Sequence, residues 1–268
     1  MHHSRSLMKS LTTPLIVILA SLLPVTVSAQ QVVDLPTRSG VTQRFIALAP
    51  EAAPRAAVIL LAGGDGFLGI DAGGGLQRGG NFLVRSRQLF AAQGLYTVVV
   101  DAPSDKQRYP HLSGERQRPD HVADLKAVIA WLRTETKVPV WLVGTSRGTQ
   151  SAAYVATQLP LAEGGPDGIV LTASILRDPR SRAVPEMPLD RLRIPVLVAH
   201  HRNDECRVCL FADVPLLMDK LGSVPRKELL VFEGGLNVGD PCEARAWHGF
   251  NGIEKDVVTQ IARWITQP

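Results

Sequence analysis

Residues 138–150 read Val138-Pro139-Val140-Trp141-Leu142-Val143-Gly144-Thr145-Ser146-Arg147-Gly148-Thr149-Gln150. The first six form an almost unbroken apolar run of strand length, and such runs suit strands buried on both faces of a sheet. From Arg147 to Gln158 the pattern turns helical. Between strand and helix stands G-x-S-x-G, with Ser146 at its centre. A serine on a sharp strand-to-helix turn is held in a strained conformation that presents its hydroxyl, and the flanking glycines keep neighbouring atoms apart there. A glycine-rich turn with an incidental serine cap would read the same over five residues. This is the only G-x-S-x-G in the chain, however, and candidate partners follow it downstream.

Similar apolar runs recur on either side: Ala56 to Leu61, Tyr96 to Val100, Gly168 to Ala173, Pro195 to Ala199 and Glu228 to Phe232. Helical patterns separate them at Asn81 to Gln93, Asp120 to Thr134, Ala212 to Leu221 and Glu254 to Ile265. In the second of these, Val122, Leu125, Val128, Ile129 and Leu132 recur at helical spacing, with Asp120 the expected N-cap. Arg44 to Leu48 reads as an edge strand. Strands alternating with helices predict one α/β domain over residues 30–268, with a mostly parallel central sheet and helices on both faces. The 268-residue chain is long enough to bury a sizeable core without staples.

Ligands of open parallel sheets bind beyond the carboxyl ends of the strands. The residues just after the apolar runs therefore matter most. They include Gly63-Gly64-Asp65-Gly66, Asp101, Ser146, the stretch His200-His201-Arg202-Asn203-Asp204, and a last loop ending at His248. A serine hydroxyl needs a base to take its proton, and the base needs an orienting acid. Asp204 and His248 follow Ser146 in the order Ser, Asp, His. Asp204 could be a turn aspartate, with Glu205 the nearest substitute, and His248 a packed loop histidine. His111 and His121 precede the serine and suit the order less well. His200, His201 and Asp204 also suggest a metal site, but adjacent strand residues point to opposite faces and rarely share one ion. No metal or other cofactor is expected.

Acyl transfer also needs donors for the developing oxyanion. One is expected from the backbone N–H of Arg147, and the other from the loop after Leu61, with the N–H of Gly64 first and Asp65 second. Read as a phosphate cradle, the diglycine lacks the Lys-Ser/Thr of a P-loop and the spacing of a dinucleotide fingerprint.

With these motifs, Leu60-Leu61-Ala62-Gly63-Gly64, Gly144-Thr145-Ser146-Arg147-Gly148, Asp204 and His248, the chain resembles an α/β-hydrolase over nearly all of residues 40–268. More narrowly it resembles a set of exported bacterial hydrolases. There the acid sits in His-His-x-x-Asp-x-Cys and the base in Cys-Glu-Ala…His-Gly-Phe. Here those segments run from His200 to Cys206 and from Cys242 to Phe250. The resemblance implies the fold and a Ser-Asp-His mechanism and no particular substrate. The superfamily usually has histidine where Ala62 stands. Ile175 to Arg193 is short, polar and proline-containing, so no substantial cap domain is expected. Gly69 to Gly80 is expected to form a flap over the serine, and Phe67, Phe82 and Trp247 are candidates for an acyl pocket.

The expected activity is hydrolysis of a small-molecule carboxylic ester. Amide or peptide hydrolysis on the same triad is the nearest alternative, and a non-catalytic envelope-binding protein of the same fold is the alternative from another class.

The first 29 residues read as a cleavable export signal, with an uncleaved membrane anchor the alternative, and the mature protein is expected to be periplasmic or secreted. They have a weakly basic start with Arg5 and Lys9, an apolar stretch from Leu11 to Val27, and Val27-Ser28-Ala29 before Gln30. Formal net charge is +4 for the whole chain, and without Arg5 and Lys9 the balance is 27 basic to 25 acidic residues. Basic residues are scattered, which gives no argument for nucleic acid or, after signal cleavage, a membrane as partner. Three cysteines, Cys206, Cys209 and Cys242, remain in an oxidising compartment. If Asp204 meets His248, the loops carrying Cys206 and Cys242 must meet too. That predicts a Cys206–Cys242 disulfide, with Cys209 free on the following helix. The rival pairing is Cys206–Cys209.

Overall fold

The apolar runs become strands whose side chains alternate between two buried faces. In β3 (Ala56–Leu61), Ala57, Ile59 and Leu61 join one core cluster and Ala56, Val58 and Leu60 the other. The computed structural model describes residues 1–2 and 30–267, so the export signal expected over residues 1–29 falls almost wholly outside them. β4 (Leu95–Val100), β5 (Val140–Thr145), β6 (Gly168–Thr172) and β7 (Val196–His201) are buried along their whole length. Strands covered on both faces need that composition.

β1 (Gln30–Arg38), β2 (Val41–Leu48) and β8 (Lys227–Phe232) complete an eight-stranded sheet in the order β1-β2-β4-β3-β5-β6-β7-β8. The β1–β2 and β2–β4 pairs are antiparallel, and all other pairs are parallel. The expected edge strand at Arg44 to Leu48 is an interior one, because β1 pairs along its outer side. β1 alternates partly buried with exposed residues, so it lacks the continuous apolar run that revealed the others.

Three helices cover one face: α3 (Pro119–Thr136), α4 (Arg147–Gln158) and α5 (Val214–Lys220). Leu125, Val128, Ala152, Val155 and Leu217 carry them onto the sheet. The other face takes α1 (Phe82–Arg85), α2 (Arg87–Ala92) and α6 (Glu254–Thr266) through Phe82, Phe90, Val257 and Ile261. Apart from Ala152, each such side chain contributes about 1.5–3 kcal/mol on leaving water. The helix expected over Asn81 to Gln93 is split at Ser86, whose buried hydroxyl has no partner among the described residues. Asp120 is not the N-cap of α3. Arg118 takes that place and Pro119 starts the helix, where its missing N–H costs nothing. Between β6 and β7 stand only single turns at Val184–Glu186 and Leu189–Arg191, so no cap domain overlies the strand ends.

Candidate active site

β3 lies between β4 and β5, so the chain leaves β3 to one side and β5 to the other. Such a switch point opens a crevice at the carboxyl ends of the strands. The loop Gly63-Gly64-Asp65 and the pair Thr145-Ser146 both line the cavity found there, of about 410 Å³.

Ser146 is the link between β5 and α4. It sits at φ 51°, ψ −125°, a region that non-glycine residues rarely adopt. Its N–H donates to the Thr172 carbonyl at 3.0 Å, and its carbonyl accepts from the Thr149 N–H at 2.9 Å. The turn is tight enough to require both glycines. A Cβ on Gly148 would stand 2.0 Å from the Leu61 carbonyl oxygen, and one on Gly144 would stand 2.4 Å from that of Gly148.

His248 lies in a single turn, Trp247–Gly249, and lines the same cavity as Ser146. Its Nδ1 is 2.8 Å from Oδ2 of Asp204, a fully buried carboxylate just beyond β7. Its Nε2 is buried with no partner among the described residues. Burial alone would raise the Asp204 pKa, but His200 at 3.5 Å and His248 bring it down to about 2. The Cys206 N–H also donates to its Oδ1 at 2.9 Å. A carboxylate ionised at neutral pH thus holds the imidazole with Nδ1 protonated and Nε2 free to accept.

The other sequence candidates lie elsewhere. Glu205 is exposed and accepts from Asn237 at 3.3 Å. His121 is buried beside Ser151, its Nε2 2.9 Å from Oγ, and His111 stacks on Phe67. His200 and His201 diverge: His200 meets the Cys209 carbonyl at 2.7 Å, while His201 meets that of Gly234 at 2.9 Å and stacks on Trp247. Trp247 is therefore packing rather than pocket lining, whereas Phe67 and Phe82 do line the cavity. The segment from Gly69 to Gly80 folds back on itself through an Ile70–Leu76 bridge, and its Arg78 and Gly80 reach the cavity wall.

Cys206 and Cys242 form a disulfide, and Cys209 is free and buried. Cys209 packs with Ile175, Ala183 and Cys206 rather than with the α5 residues Val214 and Leu217. It lies beside Ser146, and its thiol, a ring nitrogen of His248 and Cys206 Sγ fall within 4.8 Å of one another. Burial pushes the Cys209 thiol well above its ordinary range, and the Asp204 charge adds to this, so it stays protonated.

Among solved structures, the chain is similar to a dienelactone hydrolase from Anabaena variabilis, with 16% identity, 89% of this chain and 95% of that one covered, and a TM-score of 0.60. It is similar to an esterase from Pyrococcus furiosus at 12% identity over 89% and 91% of the two chains, TM-score 0.62. A third neighbour is an α/β serine hydrolase without lid from Xanthomonas campestris, with 18% identity over 88% and 95% of the two chains and a TM-score of 0.55. The chain has the α/β-hydrolase fold. No family model matches it, and no curated protein does.

Within that α/β-hydrolase frame, two further residues support the site, and the sequence reading had singled out only Asp101. Arg116 is buried in the loop before α3 and donates to the carbonyls of Ala62 at 3.0 Å and Gly64 at 3.2 Å, gripping the diglycine loop from behind. Asp101, after β4, accepts from the N–H groups of Leu68 at 2.7 Å and Ile70 at 2.8 Å. Asp101 had a signal, since it follows an apolar run. Arg116 had none, lying in a polar loop far from any motif.

Proposed function

We propose that this protein is a serine hydrolase that cleaves a small-molecule carboxylic ester through an acyl-enzyme. Ser146 attacks the carbonyl while His248 takes its proton at Nε2. Asp204 holds the imidazole and stabilises its charged form. The backbone N–H groups of Gly64 and Arg147 receive the oxyanion. His248 then returns the proton to the leaving alcohol, and water repeats the sequence on the acyl-enzyme. The observation that carries the reading is the strained Ser146, which opens on one cavity with His248 while that imidazole's Nδ1 is held by Asp204 and its Nε2 is unpartnered. The esterases and the dienelactone hydrolase among the structural neighbours favour an ester.

The cavity, lined by both Phe67 and Arg78, offers an apolar and a cationic wall to a small ester. The leader-like residues 1–29 and the disulfide support export to an oxidising compartment. A fluorophosphonate probe tests the assignment. It is expected to label Ser146, and Ser146→Ala is expected to abolish labelling and lower turnover of 4-nitrophenyl esters by roughly 10⁶-fold. Label mapped to another serine, or undiminished turnover in the variant, would refute it.

A further inference from the structure

Arginines that are dispersed in sequence converge on a second cavity, of about 420 Å³, whose lining residues are entirely different from those of the catalytic one. Arg116, Arg118, Arg147, Arg180 and Arg182 all line it. Among the described residues, the one carboxylate ion-paired to any of them is Asp178, buried beneath Arg147 at 2.7 Å. Arg118, Arg180 and Arg182 are exposed, and none of their guanidinium groups meets a carboxylate there. Grouping like charges destabilises the fold unless something offsets them.

Arg116 makes the case sharper. It is only 6% exposed, its guanidinium donates to Ser151 and to backbone carbonyls but to no carboxylate, and its Nε is unpartnered. Burial, reinforced by the Arg147 charge, lowers its pKa to about 10, and Asp65 offsets only part of that cost. The 18-residue α3 also begins here, with Arg118 as its N-cap and no side-chain cap. A helix start presents free N–H groups and the positive end of the dipole. Asp120, the acid of that first turn, faces Arg38 at 3.4 Å instead.

We propose that this cavity binds a small ligand bearing two or more closely spaced oxyanion groups, carboxylates or phosphates, gripped by Arg118, Arg180 and Arg182 over the buried Arg116. Guanidinium forks match such groups bidentately, and the volume suits a small molecule. The site stands independently of the ester reading. It adjoins the catalytic loop because Arg116 also holds the Ala62 and Gly64 carbonyls.

Calorimetric titration at low ionic strength tests this with two probes, inorganic pyrophosphate and citrate. The parent chain is compared with an Arg118→Ala/Arg180→Ala/Arg182→Ala variant and with an Arg55→Ala/Arg191→Ala/Arg263→Ala control of equal charge. The expected result is saturable binding of at least one probe, weakened by about tenfold or more in the first variant and unchanged in the control. The tighter probe assigns phosphate or carboxylate chemistry. Absence of saturable binding, equal weakening in both variants, or full affinity in the first overturns the proposal. So does loss of binding when Ser146 carries a fluorophosphonate, which would put the anion in the catalytic cavity.

Discussion

Cys206, two residues beyond Asp204, is bonded to Cys242, six residues before His248, across a sequence separation of 36. The bridge therefore ties the loop carrying Asp204 to the loop carrying His248. Neither half of the pair belongs to the sheet, although Cys206 packs in a small buried cluster with Ile175, Ala183 and Cys209.

Cys242→Ala is expected to lower ester turnover while leaving far-ultraviolet circular dichroism unchanged at ambient temperature. Closing a loop of this length contributes roughly 3–4 kcal/mol in the chain-entropy account, so the midpoint of urea unfolding falls as well. Full turnover in the variant would show that the two loops are held by other contacts.

Asp204→Asn is expected to cut kcat by roughly 10²–10⁴-fold, because the amide leaves the imidazole free to take the wrong tautomer. Glu205→Gln, altering an exposed carboxylate aimed at Asn237, is expected to leave kcat within about twofold. The opposite outcome in steady-state kinetics would transfer the role of acid to Glu205.

How much of this was legible follows from the kind of signal each residue sends. β3 to β7 announce themselves because burial on both faces demands unbroken apolar runs. β1 escapes because its residues are at most partly buried and interspersed with exposed ones. Ser146, Asp204 and His248 each stand just past an apolar run or in the last loop, where topology directs attention. The Cys206–Cys242 pairing followed from requiring two loops to meet. Arg116 and the arginine cavity could not be read, since Arg116, Arg147 and Arg180 come from three separate loops and helix starts whose proximity is purely tertiary. The same holds for Cys209, which meets Ser146 only because the loop after β7 folds under the turn at Ser146.

Gly148→Ala offers a test of the tight turn itself. An added Cβ would stand 2.0 Å from the Leu61 carbonyl oxygen, and backbone on both sides leaves nothing flexible to yield. The variant is expected to lose at least about 2–3 kcal/mol of stability or to fail to accumulate as folded protein. Gly80→Ala, on the rim of the same cavity with no atom within 4 Å of the added Cβ, is the control and is expected to stay within about 0.5 kcal/mol. Similar unfolding midpoints for the two variants would mean that the turn adjusts more freely than its geometry implies.

His121 carries the clearest pH signature. It is 6% exposed, its Nε2 meets Ser151, its Nδ1 has no partner among the described residues, and burial, reinforced by Arg116 and Arg38, lowers its pKa to about 3. In the unfolded chain the same imidazole titrates near 6.5. Between these two values the unfolded state holds a proton that the folded state refuses. Stability therefore falls as pH drops below about 6.5, and the loss levels off near about 3, at a total on the order of 5 kcal/mol. Asp204 adds its own loss only lower, between 3.8 and about 2, so the two windows scarcely overlap. His121→Gln has no proton to gain. Urea unfolding from about pH 7 to about pH 4 is expected to show a flatter decline for the variant than for the parent, by up to about 1.4 kcal/mol per pH unit. Parallel declines would mean that His121 takes up its proton in the folded state, and that the buried cluster of His121, Ser151 and Arg116 opens before the sheet does.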